Sequence, residues 1–225
     1  MESALRQFLR ILLAVIVAVS FTGSAVAGDP SASVKPDIRA EAPTFTVGDQ
    51  WDFESDHNYS YRVVGIEDGS TVFVVTPNQV CPECRFYDDS NLVTRKLLWK
   101  SGKDISSKLR PRLKFLDFPL FVGKEWEDNK ALWSGGLHGY YTYLNTFRVT
   151  AFEKVKTPAG EFDAFRIEWR QRSPEEAGRI PFEGVCVYWY APSVKFFVKR
   201  VIESSTATKW VNEYALVRYK IAEYR

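Results

Sequence analysis

Val47-Gly48-Asp49-Gln50-Trp51 returns 75 residues later as Val122-Gly123-Lys124-Glu125-Trp126. Each copy leads into a pattern carrying an aromatic-Arg-Val step, Tyr61-Arg62-Val63 in the first and Phe147-Arg148-Val149 in the second. A recurrence of this kind points to one β-rich module built from two related halves. None of the repeated residues does chemistry, so the signal concerns architecture rather than reaction.

Period-2 alternation surrounds both copies. Phe165, Ile167 and Trp169 alternate with Arg166, Glu168 and Arg170, the pattern of a half-buried strand with one wet face. Tyr59 to Ile66 and Ser70 to Thr76 read as strands joined by Glu67-Asp68-Gly69, an Asp-Gly hairpin signal. Lys156-Thr157-Pro158-Ala159-Gly160-Glu161 reads as a second turn, with Pro158 and Gly160 where a type I turn prefers them. It joins Thr146–Val155 to Phe162–Arg172. Val185–Ala191, Lys195–Glu203 and Thr208–Ile221 complete a meander, turning at Pro192-Ser193 and Ser204-Ser205. Helical signals are confined to short turns at Asp104–Leu109 and Glu175-Glu176-Ala177. The expectation is an all-β fold: a curved antiparallel sheet or partly open barrel or sandwich of about ten to twelve strands.

The first 27 residues read as a signal peptide. Arg6 and Arg10 form a positive n-region, Ile11 to Phe21 an apolar run, and Ala25-Val26-Ala27 a small-x-small cleavage site, so the mature chain is expected to begin at Gly28. The apolar run has 11 residues, against the roughly 20 that a spanning helix needs. No later stretch is apolar enough to span, so no transmembrane segment is expected in the mature chain. The periplasm is the expected location, with full secretion as the alternative. Residues 28–43, rich in Pro, Ser and Ala, read as a flexible leader. Residues 44–225 read as a single β-rich domain with halves at about 44–118 and 119–225. The link between them, Arg112 to Val122, is rich in Leu, Phe and Pro, and so reads as buried rather than as an exposed linker.

Without the signal peptide, 28 Lys+Arg face 27 Asp+Glu. That balance gives no basic surface for nucleic acid, and no nucleic-acid partner is expected. The local run Arg110-Pro111-Arg112-Leu113-Lys114 reads as a solvated strand edge. The chain carries 7 Trp, 11 Tyr and 16 Phe, a supply of flat side chains that favours pleated surfaces.

The second half resembles uncharacterised exported bacterial β-domain proteins. The resemblance is carried by Pro119-Leu120-Phe121-Val122-Gly123-Lys124-Glu125-Trp126, by Thr157-Pro158-Ala159-Gly160-Glu161-Phe162-Asp163-Ala164-Phe165-Arg166-Ile167-Glu168, and by Tyr188-Trp189-Tyr190-Ala191-Pro192-Ser193-Val194-Lys195. It spans roughly residues 119 to 220. It implies a periplasmic antiparallel β fold and transfers no catalytic residue.

The sharpest local motif is Cys81-Pro82-Glu83-Cys84. Two thiols at this spacing serve as a redox pair, half a zinc site or a structural disulfide. The flanks are strand-like and lack the helix N-terminus that activates a thiol, which favours a disulfide between Cys81 and Cys84 in an oxidising compartment. Zinc would need two further ligands from Cys186, His57 and His138, and no ligand spacing joins these. Cys186 reads instead as a small buried hydrophobe.

Hydrolysis finds no support in a Gly-x-Ser-x-Gly elbow. Asp88-Asp89 and Glu175-Glu176 read as solvated loop charges rather than an acid–base pair. The Gly-rich run Trp133-Ser134-Gly135-Gly136-Leu137-His138-Gly139 lacks the Lys of a phosphate loop and reads as a loop between strands. Neither catalytic residues, nor a resident metal, nor a cofactor is expected.

The expected function is therefore non-enzymatic: an exported binding or envelope-associated domain with an aromatic-lined concave face. Its candidate residues are Trp133, Tyr140, Tyr141, Tyr188 and Tyr190, with Tyr188 and Tyr190 shown to the ligand and Trp189 buried on the opposite face. A lipid chain, a glycan or a partner protein fits such a surface, in that order. The rival readings are an assembly protein that binds a partner strand along a sheet edge, and a thiol or zinc protein centred on Cys81 and Cys84.

Overall fold

The computed structural model describes residues 38–76, 83–106, 113–134, 139–173, 182–206 and 211–223, with the backbone alone for 130–142. Within these residues the chain is almost entirely strand. The first group is β1 (Arg39–Ala40), β2 (Gln50–Glu54), β3 (Tyr59–Glu67), β4 (Ser70–Thr76), β5 (Arg85–Asp88) and β6 (Thr94–Leu98). Next come β7 (Leu120–Phe121), β8 (Glu125–Glu127), β9 (Lys130–Ser134), β10 (Gly139–Thr157) and β11 (Gly160–Arg172). The chain closes with β12 (Glu183–Ala191), β13 (Phe196–Ser205) and β14 (Tyr214–Lys220), and a 3-10 turn at Pro192–Val194 separates β12 from β13.

The repeated pentapeptides build twin corners. Gly48 and Gly123 take φ of +99° and +95°, a backbone region that side chains with a Cβ resist. Beyond each glycine the same ladder forms. Gly48 N–H donates to Val63 C=O at 2.9 Å, and Val63 N–H returns a bond to Asp49 C=O at 2.9 Å. Gly123 N–H donates to Val149 C=O at 2.8 Å, and Val149 N–H to Lys124 C=O at 2.9 Å. Trp51 then lies opposite Tyr61, and Trp126 opposite Phe147. A register shift follows each step, between Val63 and Gly65 in β3 and between Val149 and Ala151 in β10. Each indole N–H finds a backbone carbonyl, Trp51 at Val194 (2.7 Å) and Trp126 at Lys114 (2.8 Å). The recurrence in the sequence is therefore a recurrence of hydrogen bonding, bulge and Trp anchor.

Every pairing in the main sheet is antiparallel, and its twelve strands run β6-β5-β4-β3-β2-β14-β13-β12-β11-β10-β8, with β9 also on β10. The β3–β4 hairpin closes with Asp68 and Gly69 at φ of +49° and +74°, the positive angles that a two-residue hairpin turn demands. β10 and β11 close with Thr157 opposite Gly160, so Pro158 and Ala159 are the loop. β14 lies between β2 and β13 and joins the wing begun by the first half to the meander of the second. The path begins at β6 and ends at β8, and the sheet does not close into a barrel.

One face of the sheet holds a single hydrophobic core with members from β2 through β14. The link between the halves lies against it. Leu113, Leu116 and Leu120 are buried. Phe115 meets the rings of Phe147, Trp169 and Tyr188 at 5.2–5.8 Å, and Phe118 meets Tyr190 at 5.4 Å. The two halves therefore share a core rather than each having its own.

One boundary differs from the sequence reading. Arg39–Ala40, inside the stretch read as leader, pairs with Leu120–Phe121 as a two-stranded sheet, and Ala40 is buried. Backbone pairing and the Arg39 guanidinium 5.2 Å from the Phe121 ring order a segment whose composition alone predicts none. Asp37–Arg225 form one compact unit. Residues 1–37, which hold the expected signal peptide, its cleavage point and the start of the expected leader, lie outside the described residues.

Candidate functional site

On β12, alternation sends Tyr188 and Tyr190 to the inner face, where they are 3% and 1% exposed. This reverses the expected facing of the strand. Trp189 is on the outer side, donating its indole N–H to Glu153 Oε1 at 2.8 Å, with Lys199 Nζ 5.6 Å from its ring. The reason is the core: the inner face is covered by Phe115, Phe118 and Phe197, so the strand buries its phenols there.

The neighbouring strand carries a bulge that sets the chemistry of this face. In β13, Phe197 lies opposite Tyr190 and Arg200 opposite Tyr188, with a register shift between the two pairs. Residues three apart share a face only because an extra residue intervenes, and bulges re-aim side chains in this way. The Arg200 guanidinium thus turns inward among aromatic rings, 4.6 Å from the Tyr214 centroid and 5.7 Å from that of Tyr188. Its Nε donates to the Asn212 carbonyl. Among the described residues no carboxylate forms an ion pair with it.

These side chains line a cavity of about 250 Å³ on the inner face. β2 and β3 supply Phe53, Tyr59 and Tyr61; β12 and β13 supply Tyr188, Phe196, Phe197 and Arg200; β14 supplies Tyr214. Phe53 stacks on Tyr59 at 5.2 Å and meets Tyr214 edge-on at 5.0 Å. Asp88, Thr94 and Leu92 enter from the β5–β6 side, and Leu113 and Phe115 from the link between the halves. Burial pushes the phenols of Tyr59, Tyr188 and Tyr214 well above the ordinary tyrosine range. Burial works against the Arg200 charge, yet the net direction is upward and the guanidinium stays protonated among the rings. The Tyr188 hydroxyl is buried near Arg200 and Cys186 yet closes no hydrogen bond of good geometry among the described residues. The arrangement offers aromatic walls, one cation, one carboxyl group and buried phenolic hydroxyls.

Of the residues expected at the site, Tyr188 lines this cavity, while Tyr190 lies beside it, packed against Phe118 and Phe197. Trp133 and Tyr140 pair across the β9–β10 hairpin, with Tyr141 opposite Leu132, and their side chains lie outside the described residues. The remaining cavity residues were missed. In the sequence Tyr59 and Tyr61 read only as residues of the strand Tyr59–Ile66, and Arg200 only as a residue of the strand Lys195–Glu203. The signal for Arg200 is the bulge, which has no mark in the residue types.

Asp88 corrects another reading. It is buried at the end of β5 and lines the cavity, whereas a solvated loop charge was expected. Asp89 does cap its loop, accepting from Asn91 and Val93 N–H and pairing with Arg95. Cys84 is fully buried just before β5, and β4 and β5 are antiparallel neighbours, so the Cys motif lies in a strand-to-strand connection. Cys81 lies outside the described residues. Cys186 is a free, buried thiol that burial pushes up to about 12. No group of His, Cys, Asp and Glu able to hold a metal occurs among the described residues, and no helix among them is long and apolar enough to cross a membrane.

These features define a class: an open antiparallel sheet with an aromatic, arginine-bearing cavity on its buried face. No protein family and no curated protein matches the sequence. Two solved structures share a general likeness. One is a presumed lipoprotein of Parabacteroides distasonis, with 13% identity, a TM-score of 0.41, and cover of 80% of this chain and 98% of that one. The other is a presumed exported protein with a YmcC-like fold from Bacteroides fragilis, with 14% identity, a TM-score of 0.38, and cover of 80% and 99%.

Proposed function

We propose that this protein is an exported, non-enzymatic binding domain that holds a small ligand on the aromatic inner face of its sheet. The observation that carries the reading is the cavity of about 250 Å³ walled by phenylalanine and tyrosine rings with one arginine among them. Ligand sites of this kind are concave and mostly apolar, with a few polar groups that fix orientation. The rings of Phe53, Phe86, Phe115, Phe196 and Phe197 suit an apolar body such as a lipid chain, and the arginine suits a polar head on it. Export rests on the n-region, apolar run and Ala25-Val26-Ala27 site. The periplasm is the proposed compartment, and Gly28 the proposed first residue.

The experiment is a thermal-shift screen of the purified mature chain against acyl, aryl and saccharide ligands. Saturable stabilisation by acyl or aryl compounds is expected, because a ligand bound only to the folded state raises its melting temperature. No stabilisation by any of them would sink the reading. Fractionation with N-terminal sequencing tests export: a chain beginning at Gly28 in the periplasmic fraction is expected, and an intact Met1 in the cytoplasm would refute it.

In that compartment we propose a disulfide between Cys81 and Cys84. It is supported by the strand-to-strand setting, the burial of Cys84 and the separate free thiol of Cys186. One titratable thiol per unfolded, unreduced chain is the expected count. Three thiols, or stoichiometric zinc, would overturn it.

A further inference from the structure

We infer that the ligand of this cavity is a monoanionic amphiphile, an aryl or medium-chain acyl carboxylate, whose head is held by Arg200. This rests on the binding reading above and names its ligand class. The cavity volume of about 250 Å³ corresponds to roughly eight water volumes, which matches a single ring or a short chain rather than a whole membrane lipid.

The head-group assignment comes from Arg200. The β13 bulge brings its guanidinium to the inner face opposite Tyr188, between the rings of Tyr188 and Tyr214. Its one described hydrogen bond uses Nε, to Asn212 C=O, which leaves the terminal nitrogens available for a carboxylate. A planar guanidinium binds a carboxylate through paired N–H donors, and such charge-assisted bonds are the strong ones. The buried Tyr188 hydroxyl lies beside it as a further donor. Glu203 and Glu213, the acidic residues nearest along the chain, are engaged elsewhere: Glu203 with Arg166, and Glu213 with the Ile202 N–H.

The charge count comes from the lining: Arg200 is the one cation among the described lining residues, so a second negative charge on the ligand would find no opposite charge there. A monoanion is therefore favoured over a dicarboxylate or a phosphate dianion.

The test is calorimetric titration of the mature chain with octanoate and 3-phenylpropionate. Octanol and 3-phenylpropanol serve as uncharged analogues, and suberate as the dianion. The acids should bind about tenfold or more tightly than the matching alcohols, and suberate more weakly than octanoate. Arg200→Gln should abolish the preference for acid while leaving alcohol binding in place, and Arg200→Lys should retain part of it. Should Arg200→Gln fail to fold, the acid-to-alcohol ratio of the wild type decides alone. Equal binding of acid and alcohol overturns the carboxylate assignment and leaves the binding reading standing. No binding of either kind overturns both.

Discussion

Asp49 shows how much a single side chain holds together. It is fully buried, and its two oxygens accept from Thr46 N–H (2.9 Å), Ala222 N–H (2.7 Å) and Lys195 Nζ (3.2 Å). It therefore ties the first corner to the β12–β13 turn and to the residues after β14. Lys124, its counterpart in the second copy, has the opposite charge and a local task, bonding the carbonyls of Asp117 and Pro119 and the Asp117 carboxylate just before it in the chain. Breaking a buried ion pair leaves its partner uncompensated, so Asp49→Ala should cost about 3 kcal/mol, read as a lower urea midpoint with unchanged slope. An unaltered midpoint would remove this clamp from the account. The sequence announced neither role: the partners of Asp49 at Lys195 and Ala222 are distant along the chain, and Lys124 reaches Asp117 and Pro119 only because the segment before it folds back on its ammonium.

At the scale of elements, the two corners invite a paired experiment. Gly48 and Gly123 sit at φ near +95° to +99°, and a Cβ on Gly123 would meet nothing within 4 Å, so only backbone conformation resists substitution there. Gly123→Ala should cost about 1–3 kcal/mol from backbone strain alone. Gly48→Ala should cost a similar amount, since the nearest atom, Ala222 Cβ, is at an ordinary 3.7 Å. Comparable falls in melting temperature would show that the repeat is energetic as well as geometric; a neutral Gly123→Ala would break the equivalence. The hairpins were the most legible elements. Asp68-Gly69 and Pro158-Ala159 carry local turn chemistry, and the observed pairs Glu67–Ser70 and Thr157–Gly160 fall where it directs. The pairing of β14 with β2 was not legible, because it joins residues more than 160 positions apart and no local signal specifies it. That pairing makes β14 a seam, and a chain ending at residue 210 should lose cooperative unfolding in a denaturant titration. A truncated chain that still melts as one unit would show the wings to be independent.

For the whole molecule, the ionisable groups set limits at both ends of the pH scale. Burial raises Asp52 and Asp117, but hydrogen bonds outweigh it: from Ser60, Gln50 and Arg218 to Asp52, and from Lys114 and Lys124 to Asp117. Both carboxyls end below their ordinary value. A carboxyl with a depressed folded pKa stabilises the fold above its unfolded value, near about pH 4, and that contribution is lost as pH falls through the folded pKa. The melting temperature should therefore drop on acidification below about pH 4, and less steeply in Asp117→Asn. The buried phenols act in the other direction. Their folded pKa values are raised, so their contribution is intact below the unfolded tyrosine value near about pH 10 and is lost above it. Phenolate absorbance from these tyrosines should appear together with unfolding rather than before it; free titration in the folded state would contradict their burial.

By itself the sequence determined the all-β class, the hairpin turns and the doubled corner, since alternation, turn residues and a repeated Gly-x-x-Trp act over a few neighbouring residues. Tertiary structure decided which face is the inside. Tyr188 and Tyr190 turned inward and Trp189 outward because the link from Leu113 to Leu120 lies across one side of the sheet. The cavity likewise depends on contacts between distant strands, and Arg200 reaches it through one bulge in β13. A period-2 pattern fixes that successive residues part company; only the three-dimensional packing of the sheet fixes which of them meet water.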